Sequence, residues 1–166
     1  TRAYYNAMID DALNICAEQI FAGASAYDTA LACHDLIIRA ADYTESGSID
    51  EAWAHNILGV LEYGSAVCEG YARTFQMLLN FAGVENLFVT GDGNGESHAW
   101  NLVKLDDGNW YWCDLTYDDQ PAWQWGTSYD YFCVTDENFL SDHTCDASSG
   151  TSIEFLYDLP ARAESA

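Results

Sequence analysis

Apolar residues recur at three- and four-residue spacing through Tyr5, Met8, Ile9, Ala12, Leu13, Cys16 and Ile20. That is the period of one helical face, and it predicts a helix over Tyr4–Ala22 that stops at Gly23. Ser25 opens a second helix with Asp28 at capping-box spacing, and Leu31, Ile37, Ile38 and Ala41 give it an apolar side. Thr44–Ser48 is polar and reads as a loop. Ile49–Leu61 reads as a short helix with Trp53 and Ile57 inward. After the break at Tyr63-Gly64-Ser65, a helix runs from Cys68 to about Ala82, its buried stripe formed by Tyr71, Phe75, Leu78, Leu79 and Ala82. The period then shortens to that of strands. Val84–Thr90 is a predicted strand, Gly91–Glu96 a loop, and Ser97–Leu105 with Asn109–Leu115 a hairpin. Tyr129–Val134 reads as a further strand, Thr135 caps a short helical turn through Leu140, and Ser148–Ser152 is a loop. The last residues either cover a sheet edge or fray.

The hairpin has two possible registers. A two-residue turn at Asp107-Gly108 pairs positions summing to 215 and sends His98 and Asp114 to opposite faces, because side chains alternate with period 2. A three-residue loop with Gly108 left-handed pairs positions summing to 214. Trp100 then lies opposite Asp114, and Asp114 is diagonal to His98 on one face, within side-chain reach. That face carries His98, Trp100, Leu102, Trp112 and Asp114. Ala99, Asn101, Val103, Tyr111 and Cys113 take the other.

This register matters because of Cys68. A cysteine at a helix start meets unpaired N–H groups and the positive end of the helix dipole. Settings of this kind, with an imidazolium beside them, bring a thiol from about 8.5 to roughly 3.5–7.5. The same N–H groups can receive an oxyanion, with Tyr63 or Asn56 as a second donor. Cys68, His98 and Asp114 are therefore candidates for nucleophile, base and the group that orients the base. The bland alternatives are an inert buried thiol and a structural His–Asp pair. His34 is followed by Asp35, but adjacent helical positions point about 100° apart, so His34 reads as structural. So do His55 and His143.

The charge narrows the partners. The 166 residues hold 27 acidic groups against 5 basic ones, a net charge of -22. Nucleic acid and anionic membranes are repelled, and a basic protein or peptide is attracted. No apolar run is long enough for a membrane span. Six cysteines lean towards an oxidising compartment, and without a CxxC pair no structural zinc site is read. Cys16 and Cys33 lie equally far from the turn between the first two helices, so an antiparallel hairpin puts them at one height, positioned for a disulfide. Cys133 and Cys145 are a second possible pair. Asp92, Asn94 and Glu96 alternate as in a calcium loop, but Val103 stands where its closing glutamate belongs. The length suggests one domain over residues 1–166.

Three motifs carry a family resemblance. They are Gly64-Ser65-Ala66-Val67-Cys68-Glu69-Gly70-Tyr71-Ala72, Ser97-His98-Ala99-Trp100-Asn101, and Trp110-Tyr111-Trp112-Cys113-Asp114-Leu115-Thr116-Tyr117-Asp118-Asp119. Together they resemble the bacterial transglutaminase-like superfamily from at least Tyr27 to Thr144, with Tyr117 where a tryptophan is common. The resemblance implies an α+β, papain-like core: N-terminal helices and a Cys-bearing helix packed on an antiparallel sheet. It also implies thiol acyl transfer on peptide or glutamine carboxamide bonds through Cys68, His98 and Asp114, with no cofactor and no metal. Trp100 and Trp112 are the expected substrate-binding walls, the expected partner is a protein or peptide, and the expected location is a bacterial cell surface or the extracellular space. The alternative is a non-catalytic peptide- or glycan-binding module on the same fold.

Overall fold

The computed structural model of the protein describes residues 1–44, 49–119, 126–146 and 159–165. The loops expected at 45–48 and 148–152 lie outside them. The architecture is α+β, with helices leading the chain and an antiparallel sheet following.

Helix α1 (Arg2–Gln19) is followed by α2 (Ala26–Ala40), and Ser25 caps α2 by accepting the Asp28 N–H at 3.0 Å. The Ser25 hydroxyl also donates to the Asp28 carboxylate at 2.7 Å. The helical hairpin matches the heights of Cys16 and Cys33, whose sulfurs lie 3.5 Å apart as separate thiols. Two-residue strands β1 (Asp42–Tyr43) and β2 (Ser65–Ala66) pair in parallel. Between them the single helix expected over Ile49–Leu61 is split into a 3₁₀ turn, Ala52–His55, and a π turn, Gly59–Tyr63. Asn56 divides them. Its backbone is extended, its side-chain oxygen accepts the Leu58 N–H, and its amide donates to the Ala52 carbonyl. An asparagine side chain that serves the backbone in this way competes with helix.

Helix α3 (Cys68–Ala82) is the central element. Tyr71, Phe75, Leu78 and Leu79 are buried against Cys33 and Ile37 of α2 and against Val103 and Cys113 of the sheet. Phe75 and Leu79 are fully buried, each contributing about 1.5–3 kcal/mol. The sheet has the order β5-β4-β3-β6, all antiparallel, from β3 (Asn86–Gly93), β4 (Glu96–Lys104), β5 (Trp110–Cys113) and β6 (His143–Cys145). Short helices α4 (Leu115–Asp118) and α5 (Asp136–Phe139) follow β5 and precede β6.

The β4–β5 register is the one summing to 214: Asn101 faces Cys113 and Leu102 faces Trp112. Leu105 N–H donates to the Asn109 carbonyl, and Gly108 has φ +83°, as the three-residue loop requires. Strand β3 runs further than Thr90, to Gly93, because Asn94 and Gly95 both take positive φ and close a two-residue turn. Asn-Gly is the preferred pair for such a turn. The strand expected at Tyr129–Val134 reduces to one bridge, Val134 to Trp112, with Cys133 at φ +51°. The chain near Arg162 does cover an edge, bridging Trp110 of β5.

The two sheet faces build two cores. Val103 and Cys113 face α3. Trp100, Leu102 and Trp112 face the other way, packed with Val89, Phe139 and Cys145.

Candidate active site

Cys68 is the first residue of α3, and its N-cap, Val67, supplies no capping side chain. The first-turn N–H groups thus point at the thiol region without a side-chain acceptor. Two contacts hold this helix start. The Val67 N–H donates to the Ala54 carbonyl at 3.0 Å. Gly70 then passes so near that a Cβ there would lie 2.5 Å from that same oxygen and 2.8 Å from Ala66 Cβ. Cys68 itself is half-buried and reachable.

β4 delivers His98 and the end of β5 delivers Asp114. The expected strand stops at Cys113, and Asp114 is the N-cap of α4, accepting the Tyr117 N–H on Oδ1 at 3.2 Å. Its Oδ2 lies 2.6 Å from His98 Nε2. The diagonal placement thus brings the two side chains together. Asp114 is buried at 1% exposure and His98 at 9%. Burial disfavours a charged His98, but hydrogen bonds to Asp114 and Cys68 outweigh it and hold the ring up at about 10. Burial likewise pushes Asp114 up, yet hydrogen bonds from His143 and His98 win and keep its carboxyl below the usual range. The three expected residues therefore come together: a thiol near enough to act on the imidazole, and a carboxylate fixed on the ring's Nε2.

Three neighbours were not anticipated at this site. His143 Nε2 lies 3.0 Å from the same Asp114 oxygen, and its Nδ1 is 2.6 Å from Asp142. Tyr117 stacks on His98 with ring centroids 4.8 Å apart. Tyr43 is 41% exposed, and partial burial first, with Cys68, Glu96 and Asp114 nearby, holds its phenol above the ordinary value. β1–β2 pairing sets Tyr43 beside Ala66, two residues before Cys68. His98, Asp114 and His143 also bring three ligand-type atoms within 4.8 Å of one another. The direct 2.6 Å hydrogen bond is shorter than the separation of two atoms that both ligate one ion at about 2.0–2.2 Å.

Other expectations need correction. Trp100 and Trp112 are 1% and 0% exposed, so they do not wall an open cleft. Phe139 covers them, stacking on Trp112 at 4.8 Å, and Trp112 Nε1 donates to Asp136. Neither oxyanion candidate is aimed at Cys68: the Asn56 side chain is occupied with backbone groups, and Tyr63 stacks on Trp53 at 4.3 Å. Cys133 faces Cys113, sulfurs 3.7 Å apart, and not Cys145. His55 is structural as expected, held by Glu69 and the Ile49 carbonyl. His34 is structural as expected, but it does meet its neighbour: Nδ1 lies 3.0 Å from Asp35, and Nε2 lies 3.1 Å from buried Asp118.

The remaining motif residues brace the same site. The Asn101 amide donates to the Ala72 carbonyl, locking β4 to α3. The Tyr71 hydroxyl donates to Asp119 at 2.5 Å and lies 3.2 Å from the Ala41 carbonyl. Asp118 accepts the Tyr131 N–H. The segment after Asp114 is thereby tied to α2, α3 and the chain near 131.

Comparison with known proteins agrees with the fold. The family described as the transglutaminase-like superfamily matches residues 15–115. No curated protein matches. Among solved structures, a TGase is similar at 20% identity and a TM-score of 0.57, over 70% of this chain and 33% of its own. A candidate cysteine protease from Cytophaga hutchinsonii is similar at 16% identity and a TM-score of 0.55, over 82% of this chain and 41% of its own. The chain thus spans between a third and about two fifths of those proteins' lengths. At these identities the likeness is one of fold.

Proposed function

The chain belongs to the transglutaminase-like superfamily, and on that premise we propose that it is a thiol acyl-transfer enzyme acting on peptide or glutamine carboxamide bonds. The observation that carries this reading is the pairing of His98 with the buried Asp114 at 2.6 Å, beside the half-buried Cys68 at the start of α3. The Cys68 sulfur attacks the carbonyl carbon, and a C–S bond forms. The first-turn N–H groups of α3 receive the developing oxyanion. His98 gives its proton to the nitrogen as the C–N bond breaks, and ammonia or an amine leaves. Water or an acceptor amine then attacks the thioester and returns a proton to His98, releasing Cys68. Asp114 holds the ring so that one nitrogen always faces the sulfur. With a net charge of -22, the chain favours a basic protein or peptide as substrate, by long-range attraction.

The test compares amine incorporation into a glutamine peptide with ammonia release and peptide cleavage, in wild type, Cys68→Ala and His98→Ala. Turnover in one of these assays, reduced by about a thousandfold or more in each variant, is expected of residues that act as a unit. Undiminished turnover in either variant refutes the mechanism. No turnover at all, with a partner bound equally by wild type and Cys68→Ala, replaces it with the binding module.

A further inference from the structure

Asp114 carries more hydrogen bonds than a triad carboxylate needs. Its Oδ2 accepts from His98 and from His143, and its Oδ1 accepts the Tyr117 N–H. The His143 ring is itself clamped. Its Nδ1 faces Asp142 Oδ1 at 2.6 Å, Phe139 stacks on it at 3.9 Å, and Trp100 meets it edge-on at 5.0 Å. Its side chain is fully buried. Asp142 is held by the Tyr131 hydroxyl through its other oxygen. The strand that sets the height of His98 also sets that of His143: β3 pairs Gly91 with His98 and Gly93 with His143.

We propose that His143 is a positioning residue for the triad: its Nε2–H fixes the plane of the Asp114 carboxylate, and Asp142 fixes His143. The proposal rests on the acyl-transfer reading above. A carboxylate held by His98 on Oδ2 and by the Tyr117 N–H on Oδ1 at 3.2 Å can still rock about its own axis. A second donor converging on Oδ2, from His143, removes that freedom. A histidine that only filled space in the second core would have no reason to share one oxygen with His98. The His143 bond is also the first of the interactions that keep buried Asp114 ionised, so its loss weakens the partner on which a charged His98 depends.

The experiment reads the site without needing a substrate. The rate of iodoacetamide alkylation at Cys68, located by mass spectrometry, is measured at about pH 6, well below the ordinary thiol value, together with the melting temperature. Wild type, His98→Ala, His143→Leu, His143→Gln and Asp142→Asn are compared. His143→Leu slows alkylation by about tenfold or more, the worth of a hydrogen bond to a charged group. His143→Gln, whose amide N–H reaches the same oxygen, restores the rate to within about threefold. An unchanged rate in folded His143→Leu, or a His143→Gln as slow as His143→Leu, overturns the proposal. If His143→Leu does not fold, Asp142→Asn takes its place: a slowed rate supports the proposal and an unchanged one overturns it. A wild type no faster than free cysteine, or a His98→Ala without effect, fails the acyl-transfer reading itself and removes the basis for this one.

Discussion

Gly93→Ala tests the site without altering any group that does chemistry. Gly93 lies on β3, and a Cβ there would sit 2.6 Å from the Tyr117 hydroxyl, 3.0 Å from His98 Cδ2 and 3.3 Å from His98 Cγ. Ordinary contact begins near 3.4 Å, so the phenol must retreat by about 0.8 Å and the imidazole by a few tenths. The backbone at Gly93 lies outside the left-handed region, so an alanine adds bulk and no torsional strain. Overpacking of this kind costs about 1–3 kcal/mol. Tyr117 stacks on His98, so its retreat tilts the ring that must face Cys68. A displacement approaching 1 Å at a reacting group costs up to about a hundredfold in rate. The assay is Cys68 alkylation alongside thermal melting. The expected result is a folded protein, destabilised by that amount, in which alkylation slows by about tenfold to a hundredfold. A Gly93→Ala chain that alkylates at the wild-type rate would show that the close packing of Tyr117 on His98 does not set the geometry of the site.

Three further predictions test other parts of the argument. Oxidation with glutathione disulfide is expected to join Cys16 to Cys33 and Cys113 to Cys133, whose sulfurs are 3.5 Å and 3.7 Å apart; peptide mapping that finds Cys133 joined to Cys145 instead would contradict the observed packing. His34→Leu leaves Asp118 buried with its imidazole removed and is expected to cost about 3–5 kcal/mol in denaturant unfolding, most of it recovered in His34→Leu/Asp118→Leu; a single variant as stable as wild type rejects the buried pair. The depressed folded value of Asp114 means that its charge stabilises the fold above the unfolded value of about 3.9, and that this contribution is lost as pH falls through the lower folded value. The melting-temperature gap between wild type and Asp114→Asn should therefore hold from about pH 7 to about pH 4 and close below that, and a gap that persists at lower pH argues that the charge is not its source.

Much of the site was legible because local chemistry dictated it. Gly108 and the residues around it suit the three-residue loop, and of the two possible registers only that one puts His98 and Asp114 on one face. Cys68 follows a chain break and opens an amphipathic stripe, so its place at a helix start needed no tertiary information. Alternation also put Trp100 and Trp112 on the face of His98, which holds in the structure. It could not say what covers that face. The cover is Phe139 on α5 and β6, contributed from residues 136–145, far along the chain from the hairpin. The same long-range pairing of β3 with β6 carries His143 to Asp114, so no local pattern could have marked that residue. Asn94-Gly95 is different: the turn signal was present in the sequence and was masked by the acidic residues on either side, which resembled a loop.

All four histidines of the chain face carboxylates: His34 meets Asp35 and Asp118, His55 meets Glu69, His98 meets Asp114, and His143 meets Asp114 and Asp142. With 27 acidic residues and 5 lysines and arginines, guanidinium and ammonium groups are too few to serve the buried acids, and imidazoles take that work inside the core. His34 and His143 have fully buried side chains. A His–Asp contact in this protein is therefore ordinary and says little about catalysis. What separates His98 from the other three is the nearby thiol of Cys68. His34 and His143 have a carboxylate on each side, and His55 has a carboxylate and a backbone carbonyl. Only His98 has both a carboxylate partner and a nearby, reachable thiol at the positive end of a helix. In the proposed mechanism, that asymmetry lets a proton move from sulfur to ring and on to a leaving amine. The other three rings hold carboxylates in place.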